Sequence, residues 1–279
     1  MKLLVGTLYT IENEFEDCCA SIRNQSYRDF DHIILKDLSK KEAHEALYGL
    51  FMEKSGEYDL LVKVDADMVI EDRDLFLKIV KRFESDPRLD LLLIAVHDFL
   101  ADGLLIGLNV FRNTVRWELG EEALFTDMTH AASTIRKTVK DYTDLAPAAV
   151  HCGDPSPFQA YHYGFHRGMK AVIGGKRWGL IAAFNEHYRR DRDPRVAYAL
   201  LGANAAFTRR FAVEHISYNN DTLLEYFRTR YEGLTEEQIH RAASRSKIFW
   251  LFRFSIIRRL AQRYYRIRSG RGRSRPGRR

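Results

Sequence analysis

LLVKVDADMVI, residues 60–70, joins an apolar run to two carboxylates and says more about the fold than any other segment. The run is typical of a buried strand, and Asp65 and Asp67 stand at its end with one alanine between them. Residues two apart on an extended strand point to the same side. We therefore expect both carboxylates to lie where one cation could meet them.

The segments around this stretch alternate between strand-like and helix-like patterns. Strand-like apolar runs occupy residues 3–9, 32–37 and 90–96, and apolar residues at helical spacing lie between them. Ser39 and Glu42 fit a capping box at the start of one such helix. This order predicts an α/β fold with a mostly parallel sheet flanked by helices, whose ligands bind beyond the carboxyl ends of the strands.

The rest of the chain is less regular and predicts a helical C-terminal region. We expect strands at 104–112 and 145–152, a helix over 126–140 and several helices from 196 onward. The expected division is a main α/β domain over 1–195, a helical extension over 196–246 and a basic amphipathic tail over 247–279.

Charge is divided unevenly along the chain. The formal net charge is +6, but 12 of the 44 Lys and Arg residues lie in 247–279, a segment without acidic residues. The first 246 residues therefore hold 32 basic and 38 acidic side chains and carry a charge of −6. Apolar residues are mixed with the arginines of the tail, which is typical of a helix on an anionic membrane surface. A helix packed on the domain and a segment that binds single-stranded nucleic acid are the alternatives.

Cysteine content and hydropathy indicate a cytoplasmic protein. Three cysteines, two of them adjacent, are too few for a disulfide framework. The first residues lack the apolar core of a signal peptide, and no apolar run reaches the roughly 18 residues that a membrane span requires. We expect a cytoplasmic protein that contacts the inner face of the membrane peripherally through residues 247–279.

Two segments, GTLYTIENEFEDCCASIRNQSYRDFDHIILKD (6–37) and VDADMV (64–69), resemble the opening of inverting family two glycosyltransferases of bacterial type. Those enzymes have the Rossmann-like GT-A fold. The resemblance is good over residues 3–70 and weaker to about 152. It implies that the main domain transfers a sugar from a nucleoside diphosphate sugar to a glycan or lipid-linked acceptor.

The resemblance also implies the roles of individual residues. Asp37 would face the nucleotide base, and Asp65 and Asp67 would hold the sugar-nucleotide diphosphate through Mn²⁺ or Mg²⁺. His151 would be a further metal ligand, and Asp127 would be the catalytic base. The candidates for nucleotide-sugar binding are then Thr7, Tyr9, Glu12, Asp37 and Asp65.

Some assignments stay open at this point. Thr126 stands where the family usually has an acid, and the rivals of Asp127 as the base are Glu121, Glu122, Asp191 and Asp193. His162 and His166 either line an acceptor pocket or form a zinc site with Cys152. The aromatic residues of that acceptor pocket would be Tyr161, Tyr163 and Phe165.

Two other functions remain as alternatives. A nucleotidyltransferase also combines a parallel sheet with a carboxylate-bound metal. It is expected to have a glycine-rich, basic phosphate loop after the first strand, where this chain has YTIENEFED. A non-catalytic protein that binds nucleic acid through the basic tail disagrees with the acidic body, so we do not expect a nucleic-acid partner.

Overall fold

A computed structural model describes residues 1–118, 134–174, 178–208 and 216–252. The chain divides into two compact units. Unit 1 contains Met1–Asp98, Leu104–Asp154 and Val213–Asp221, and unit 2 contains Phe99–Gly103, Pro155–Ala212 and Thr222–Arg279. The boundaries predicted at residues 195 and 246 stay predictions.

Unit 1 is built on a β-sheet. Its strands are β1 (Leu3–Tyr9), β2 (Phe30–Lys36), β3 (Leu60–Asp65), β4 (Met68–Val69), β5 (Leu91–Asp98), β6 (Gly103–Arg112), β7 (Thr138–Asp141) and β8 (Val150–His151). The helices that alternate with the first strands are α1 (Phe15–Arg23), α2 (Lys40–Glu53) and α3 (Leu75–Ser85). The alternation that the sequence predicts over its first ninety residues is confirmed.

The sheet is mixed, whereas the sequence predicted a mostly parallel one. Its strand order is β2-β1-β3-β6-β5-β8-β4, and β7 also pairs with β5. β1 is parallel to β2 and β3, and β5 is parallel to β7 and β8. β3 and β6 are antiparallel, as are β4 and β8. The connection from Asp98 to Gly103 is too short for a parallel crossover, which takes a dozen or more residues, so the chain reverses after β5.

Helices cover both faces of this sheet. Leu3 and Val5 of β1 belong to an apolar cluster that includes residues of α1 and α3. Leu4, between them, belongs to a second cluster that includes residues of α2. Successive residues of a strand point to opposite faces, so β1 is buried on both. Because β1 is parallel to both β2 and β3, the carboxyl ends of these three strands lie at the same edge of the sheet.

The predicted signals of α2 and α3 are confirmed. Ser39 Oγ accepts the N–H of Glu42, and Oε2 of Glu42 accepts the N–H of Ser39 at 3.0 Å, which completes the capping box of α2. In α3 the apolar residues at helical spacing are all buried, namely Leu75, Phe76, Ile79, Val80 and Phe83.

The helix predicted over 126–140 is wrong where the structure describes it. Residues 119–133 lie outside the described part, and Thr138–Asp141 form β7. Buried Asp90 accepts the backbone N–H of Arg136 at 2.7 Å and its guanidinium Nε–H at 2.9 Å. This anchor holds the chain beside β5, so a tertiary contact overrides the helical pattern.

Unit 2 is helical in the part that the structure describes. Its helices are α4 (Pro157–Gly174), α5 (Trp178–Asp191), α6 (Pro194–Thr208), α7 (Asp221–Tyr231), α8 (Glu236–Ser244) and α9 (Lys247–Leu251). α4 and α6 pack with their backbones in contact. A Cβ added to Gly164 would lie 1.9 Å from the carbonyl oxygen of Ala199, and one added to Gly202 would lie 1.9 Å from that of Tyr161. Only glycine fits at these two positions.

The aromatic residues of α4 belong to the core of unit 2. Tyr161 and Phe165 are at most 1% exposed, and Tyr163 is 5% exposed. The ring of Tyr161 packs against Phe227 and Tyr231, with centroids 5.3 and 5.5 Å away. The prediction that these residues line an open acceptor pocket is therefore wrong, because their helical spacing marks a buried face.

The basic tail is described only as far as Phe252. Ser246 caps α9, and Ile248 and Phe252 are each 1% exposed. Oδ1 of Asn204 in α6 accepts the first backbone N–H of α9 at 2.9 Å. The start of the tail thus packs on unit 2, and the membrane contact predicted for the tail rests mostly on residues 253–279, outside the described part. Within the described ranges, we find no helix with the length and apolarity that a bilayer crossing requires.

Candidate metal centre

Strand β8 brings two carboxylates and an imidazole of unit 1 together. His151 stands opposite Met68 of antiparallel β4 and opposite Asp98 of parallel β5. Asp67 directly precedes Met68, and its carbonyl oxygen accepts the N–H of Cys152 at 2.9 Å. The buried side chains of Asp67, Asp98 and His151 are thereby placed side by side.

His151 lies between two carboxylates. Its Nδ1 is 2.8 Å from Oδ2 of Asp98, and its Nε2 is 3.3 Å from Oδ2 of Asp67. An ionised carboxylate only accepts hydrogen bonds, so the N–H at Nδ1 donates a hydrogen bond to Asp98. Nε2 then faces Asp67 and shares either a proton or a cation with it. A carboxylate on the far nitrogen is the usual support of a histidine metal ligand.

Cys152 completes a converging group of three side chains. Its Sγ is 3.3 Å from Oδ2 of Asp67 and 3.9 Å from Nε2 of His151. Among the described residues, Asp67, His151 and Cys152 form a set whose possible ligand atoms all lie within 4.8 Å of one another. Oδ1 of Asp67 is buried and has no hydrogen-bond partner in the described ranges. Carboxylate, imidazole and thiol together fit a divalent transition-metal ion and match Mg²⁺ poorly, because Mg²⁺ prefers oxygen ligands.

The alternative zinc site would join Cys152 of unit 1 to His162 and His166 of unit 2, and it stays a prediction. Among the described residues, the side chains that converge with Cys152 are Asp67 and His151. His162 and His166 lie in α4 of unit 2 and are no part of that group.

Burial and charge oppose each other at Asp67. Burial alone would raise its pKa, but the charge of His151 and the hydrogen bonds from His151 and Cys152 lower it to about 2. Asp67 is therefore ionised at neutral pH and available to a cation. Burial raises the pKa of the Cys152 thiol well above its usual range. In the absence of a cation, the thiol is protonated and donates a hydrogen bond to Asp67.

The backbone of Cys152 is strained. Its φ of 51° lies in the left-handed region, which a non-glycine residue occupies at a cost of about 1 kcal/mol. The hydrogen bond from its N–H to Asp67 helps to hold this conformation. Such strain is concentrated at functional sites, where it fixes the direction of a side chain.

Asp65 has different surroundings from Asp67. β3 ends at Asp65, and Ala66 and Asp67 form a turn, so the strand alternation that predicted a shared side does not reach Asp67. The carboxylate of Asp65 forms an ion pair with Lys63, which is 5% exposed. Asp65 lies outside the converging group of three, and its role as a metal ligand stays a prediction.

The loop after β1 approaches the same group through Glu12. Oε2 of Glu12 accepts the N–H groups of Thr10 at 2.7 Å and Ile11 at 3.1 Å. Burial, and then the negative charge of Asp67, raises the pKa of Glu12 to about 7. Glu14 accepts the N–H of Asp154 at 3.0 Å and ties this loop to the one that follows β8. The structure thus brings Glu12 near Asp67.

The other predicted donor-binding residues stand at the neighbouring strand ends. Thr7 is fully buried, and its Oγ1 is 2.9 Å from Nε2 of His32, so this hydroxyl already has a partner. The ring of Tyr9 stacks on Phe15 with centroids 3.8 Å apart. Asp37 has a φ of 58° and is exposed. Their roles in nucleotide-sugar binding stay predictions.

Sequence reasoning misses Asp98, Tyr218 and the role of Cys152 beside Asp67. Asp98 ends an apolar run, so the rule that selected Asp65 could also have found it. Tyr218 belongs to the segment Val213–Asp221, which returns to unit 1, where Oγ of Ser217 accepts the N–H of Lys40 at 3.0 Å. Desolvation, and then the charges of Glu12 and Asp67, raise the pKa of Tyr218 well above its usual range. No local sequence pattern predicts that this segment belongs to unit 1.

The assignment of Asp127 as the catalytic base stays a prediction. Of the acids considered for it in the sequence, Glu121, Glu122 and Asp127 lie outside the described part. Hydrogen bonds from Arg190 lower the pKa of Asp191. Burial alone would raise the pKa of Asp193, but hydrogen bonds from Arg195 outweigh it and lower this pKa. A lowered pKa makes Asp191 and Asp193 weaker bases than an ordinary aspartate.

Two solved structures to which the chain is similar are distant from it in sequence. No protein-family model matches the chain, and no curated protein matches it in sequence. The mannosyltransferase PcManGT from Pyrobaculum calidifontis, in complex with GDP-Man and Mn²⁺, is 12% identical, with a TM-score of 0.40 over 95% of this chain and 87% of that chain. The protein A197 from STIV is 18% identical, with a TM-score of 0.30 over 40% of this chain. That match spans 65% of A197, just under two thirds of its length. Likenesses this distant assign no ligand or activity to the chain.

Proposed function

We propose that the chain is a metal-dependent glycosyltransferase of the bacterial family two type, with GT-A architecture. It would transfer a sugar from a nucleoside diphosphate sugar to a glycan or lipid-linked acceptor. The observation that carries this proposal is the contact between Asp67 and His151, at 3.3 Å. The family resemblance implies Asp65, Asp67 and His151 as metal ligands, the first two from their motif and His151 from its place along the chain. That Asp67 and His151 meet in unit 1, far apart in sequence, supports the assignment of these two.

Asp67 and the residues around it would each contribute differently to binding a cation. When bound, Mn²⁺ or a similar ion offsets the negative charge that develops on the departing diphosphate. Asp67 offers its unpartnered Oδ1 or the oxygen that now faces His151, and His151 offers Nε2. Asp98 keeps the proton of His151 on Nδ1, so that Nε2 presents its lone pair. Lys63 places a further positive charge beside Asp65.

The transfer itself forms one bond and breaks another. The acceptor oxygen bonds to the anomeric carbon of the sugar as the bond from that carbon to the diphosphate oxygen breaks. The acceptor proton passes to a carboxylate base, which we assign to Asp127, and the nucleoside diphosphate leaves with the electron pair. Attack from the face opposite the diphosphate inverts the anomeric centre. The side chains that we expect to contact the donor are Thr7, Tyr9, Glu12, Asp37 and Asp65.

The tail suggests where the acceptor is found. Residues 253–279 hold eleven arginines and no acid, so they would be drawn to anionic lipid. The body is acidic by comparison and would be repelled by it. We therefore propose a peripheral contact with the cytoplasmic membrane face, which would bring the donor site to a lipid-linked acceptor.

Calorimetry of nucleoside diphosphates tests the donor site. We expect one of UDP, GDP, ADP or CDP to bind at least about tenfold more tightly with Mn²⁺ than without it, because a cation held by Asp67 and His151 would offset the charge of the diphosphate. Asp67→Asn and His151→Ala should each remove this metal-dependent gain. Asp144→Asn changes an exposed carboxylate on the loop before β8 and should leave it intact. Nucleotide binding that ignores Mn²⁺ would contradict the proposal.

Product analysis then tests the reaction. With the sugar nucleotide of the preferred base, a glycosyltransferase releases the nucleoside diphosphate when acceptor is added. A nucleotidyltransferase, given a nucleoside triphosphate and a sugar phosphate, releases pyrophosphate instead. Pyrophosphate release by this chain would favour that alternative function.

A further inference from the structure

We infer that Cys152 is a third protein ligand of the cation and that the site selects thiophilic divalent ions such as Co²⁺, Zn²⁺ or Cd²⁺ over Mg²⁺. The inference deepens the proposed function and rests on it for the use of the ion. It concerns the same site, but it can be tested without any turnover.

The first support is the shape of the triangle formed by the three ligand atoms. Its edges are 3.3 Å from Oδ2 of Asp67 to Nε2 of His151, 3.3 Å from Oδ2 to Sγ of Cys152, and 3.9 Å from Nε2 to Sγ. A tetrahedral ion with bonds of about 2.0–2.3 Å to oxygen, nitrogen and sulfur holds these atoms about 3.4–3.6 Å apart. The observed edges differ from those values by only a few tenths of an ångström.

The second support is the unequal use of the two oxygens of Asp67. Both His151 and Cys152 approach Oδ2, whereas Oδ1 is buried without a partner in the described ranges. Asp67 as a whole is 8% exposed, so water gives this carboxylate little compensation. A cation among the three side chains would bind the carboxylate, Nε2 and the sulfur at once. The thiol proton would leave to solvent as the metal–sulfur bond forms.

The third support is the way in which the sulfur is held. The N–H of Cys152 bonds to the carbonyl oxygen of Asp67 at 2.9 Å, and the residue adopts a φ of 51°. Main chain and side chain of Cys152 therefore both contact Asp67. The other two cysteines are placed differently: Sγ of Cys18 meets a backbone carbonyl at 3.7 Å, and Cys19 packs in an apolar cluster with Phe15.

A thiolate changes which ions the site prefers. Sulfur is a soft ligand and selects later or heavier transition ions, whereas Mg²⁺ requires nearly octahedral oxygen coordination. Mn²⁺ accepts mixed ligands and would still bind. The ordering that we expect is therefore Cd²⁺ and Zn²⁺ first, then Co²⁺, then Mn²⁺, with Mg²⁺ last.

Absorption spectroscopy of bound Co²⁺ detects a cobalt–sulfur bond directly. Co²⁺ is titrated into the metal-free full-length chain with a reductant that contains no thiol. The expected result is an intense near-ultraviolet absorption from thiolate-to-cobalt charge transfer. Cys152→Ser should lose this band, and Cys19→Ser, the matched control for a buried cysteine, should keep it. A band that persists in Cys152→Ser, or wild-type protein that binds Co²⁺ without the band, would overturn the inference.

Competition calorimetry gives an independent readout. Cys152→Ser should weaken Cd²⁺ binding about 100-fold or more and Mn²⁺ binding less than about tenfold, because only the softer ion depends strongly on sulfur. Equal losses for both ions would overturn the proposed selectivity. If Cys152→Ser does not fold, Cys152→Ala replaces it, and the wild-type cobalt spectrum alone still decides whether sulfur binds.

The outcomes separate this inference from the proposed function. Metal-dependent nucleotide binding without a charge-transfer band leaves the function in place and removes Cys152 as a ligand. A charge-transfer band without nucleotide binding keeps Cys152 as a ligand and removes the donor site. Wild-type protein that binds neither Co²⁺ nor Cd²⁺ overturns the inference.

Discussion

The Nδ1–H of His151 donates to Asp98 across 2.8 Å, and this bond decides which ring nitrogen faces Asp67. The two residues are register partners in the parallel pairing of β5 and β8. Their contact is therefore built by the sheet and does not depend on a loop conformation. Sites placed on rigid strands hold ligand geometry more precisely than sites on loops.

Replacing Asp98 by Asn should weaken metal binding about 10- to 100-fold, because an amide can donate to Nδ1 and shift the imidazole proton to Nε2. Calorimetry with Mn²⁺ and Cd²⁺ measures the loss. Asp144→Asn is the control, since it removes an exposed carboxylate from the same unit. Equal affinities in wild type and Asp98→Asn, with the fold intact by circular dichroism, would show that Asp98 does not position His151.

The two acids of the Asp-Ala-Asp segment should differ in their effect on metal binding. Asp67→Asn should weaken it at least about 100-fold, because it removes the carboxylate on which His151 and Cys152 converge. Asp65→Asn should weaken it less than about fivefold, because that carboxylate is paired with Lys63. Calorimetry of the free cation distinguishes the two variants. A larger loss in Asp65→Asn would reverse the assignment.

Much of unit 1 follows from local pattern. The alternation of apolar runs predicts β1, α1, β2, α2 and β3, and the capping box of Ser39 places the start of α2. These signals work because each element buries one face and is bounded by polar residues. The mixed pairing of the sheet cannot be predicted in the same way, because the reversal after β5 depends on a short connection and on long-range pairing.

The candidate site, like the fold, can be predicted only in part from local sequence pattern. The sequence predicts Asp67 from its position after an apolar run, and the family resemblance adds His151; the structure places these two side chains 3.3 Å apart. The expectation that Asp65 and Asp67 share one side rests on strand alternation, which a turn at Ala66 and Asp67 interrupts, so it stays a prediction. The part played by Cys152 depends on a left-handed backbone and on the register of β8 with β4, neither of which leaves a local signature.

Gly164→Ala should destabilise the protein by about 3 kcal/mol or more, because the new methyl group would meet the carbonyl oxygen of Ala199 and force α4 and α6 apart. Gly49→Ala is the matched control. Gly49 lies inside α2 with open space beside it, so alanine there should be neutral or stabilise by about 0.5–1 kcal/mol. Urea unfolding followed by circular dichroism compares them. Equal midpoints would show that the two helices can separate freely.

Asp90 should make the fold sensitive to acid. Burial alone would raise its pKa, but hydrogen bonds from Arg136 and Thr114 lower it from 3.8 to about 2. A carboxyl with a lowered folded pKa stabilises the protein above its unfolded pKa, and this contribution is lost as the pH falls from about 4 to about 2. Arg136 is half exposed, so solvent screening limits the contribution to about 1–2 kcal/mol.

Asp90→Asn tests this pH dependence. The variant should be less stable than wild type at pH 7, and the difference should shrink as the pH falls towards about 3, because wild type alone loses the carboxylate. Urea unfolding at several pH values provides the comparison. A difference that stays constant down to pH about 2.5 would mean that Asp90 acts through packing and not through its charge.

The parts of the tail before and after Phe252 should differ in their effects on stability and on membrane binding. Truncation after Phe252 removes the arginine-rich part and should abolish sedimentation with anionic liposomes at low salt, while the melting temperature stays within about 2 °C. Truncation after Ser246 also removes the buried Ile248 and Phe252 and should lower the melting temperature by several degrees. Full-length protein that ignores anionic liposomes would remove the membrane contact from the proposed function.

The return of Val213–Asp221 to unit 1 has a consequence for biosynthesis. Domains generally fold in order as the ribosome releases them. Unit 1 cannot do so completely, because Ser217, which contacts Lys40, and Tyr218 are translated only after the whole of Pro155–Ala212. A nascent chain that ends before this segment would hold Asp67, His151 and Cys152 without the last piece of their surroundings. Premature termination within the helical unit should therefore yield polypeptides in which the surroundings of these three side chains are incomplete.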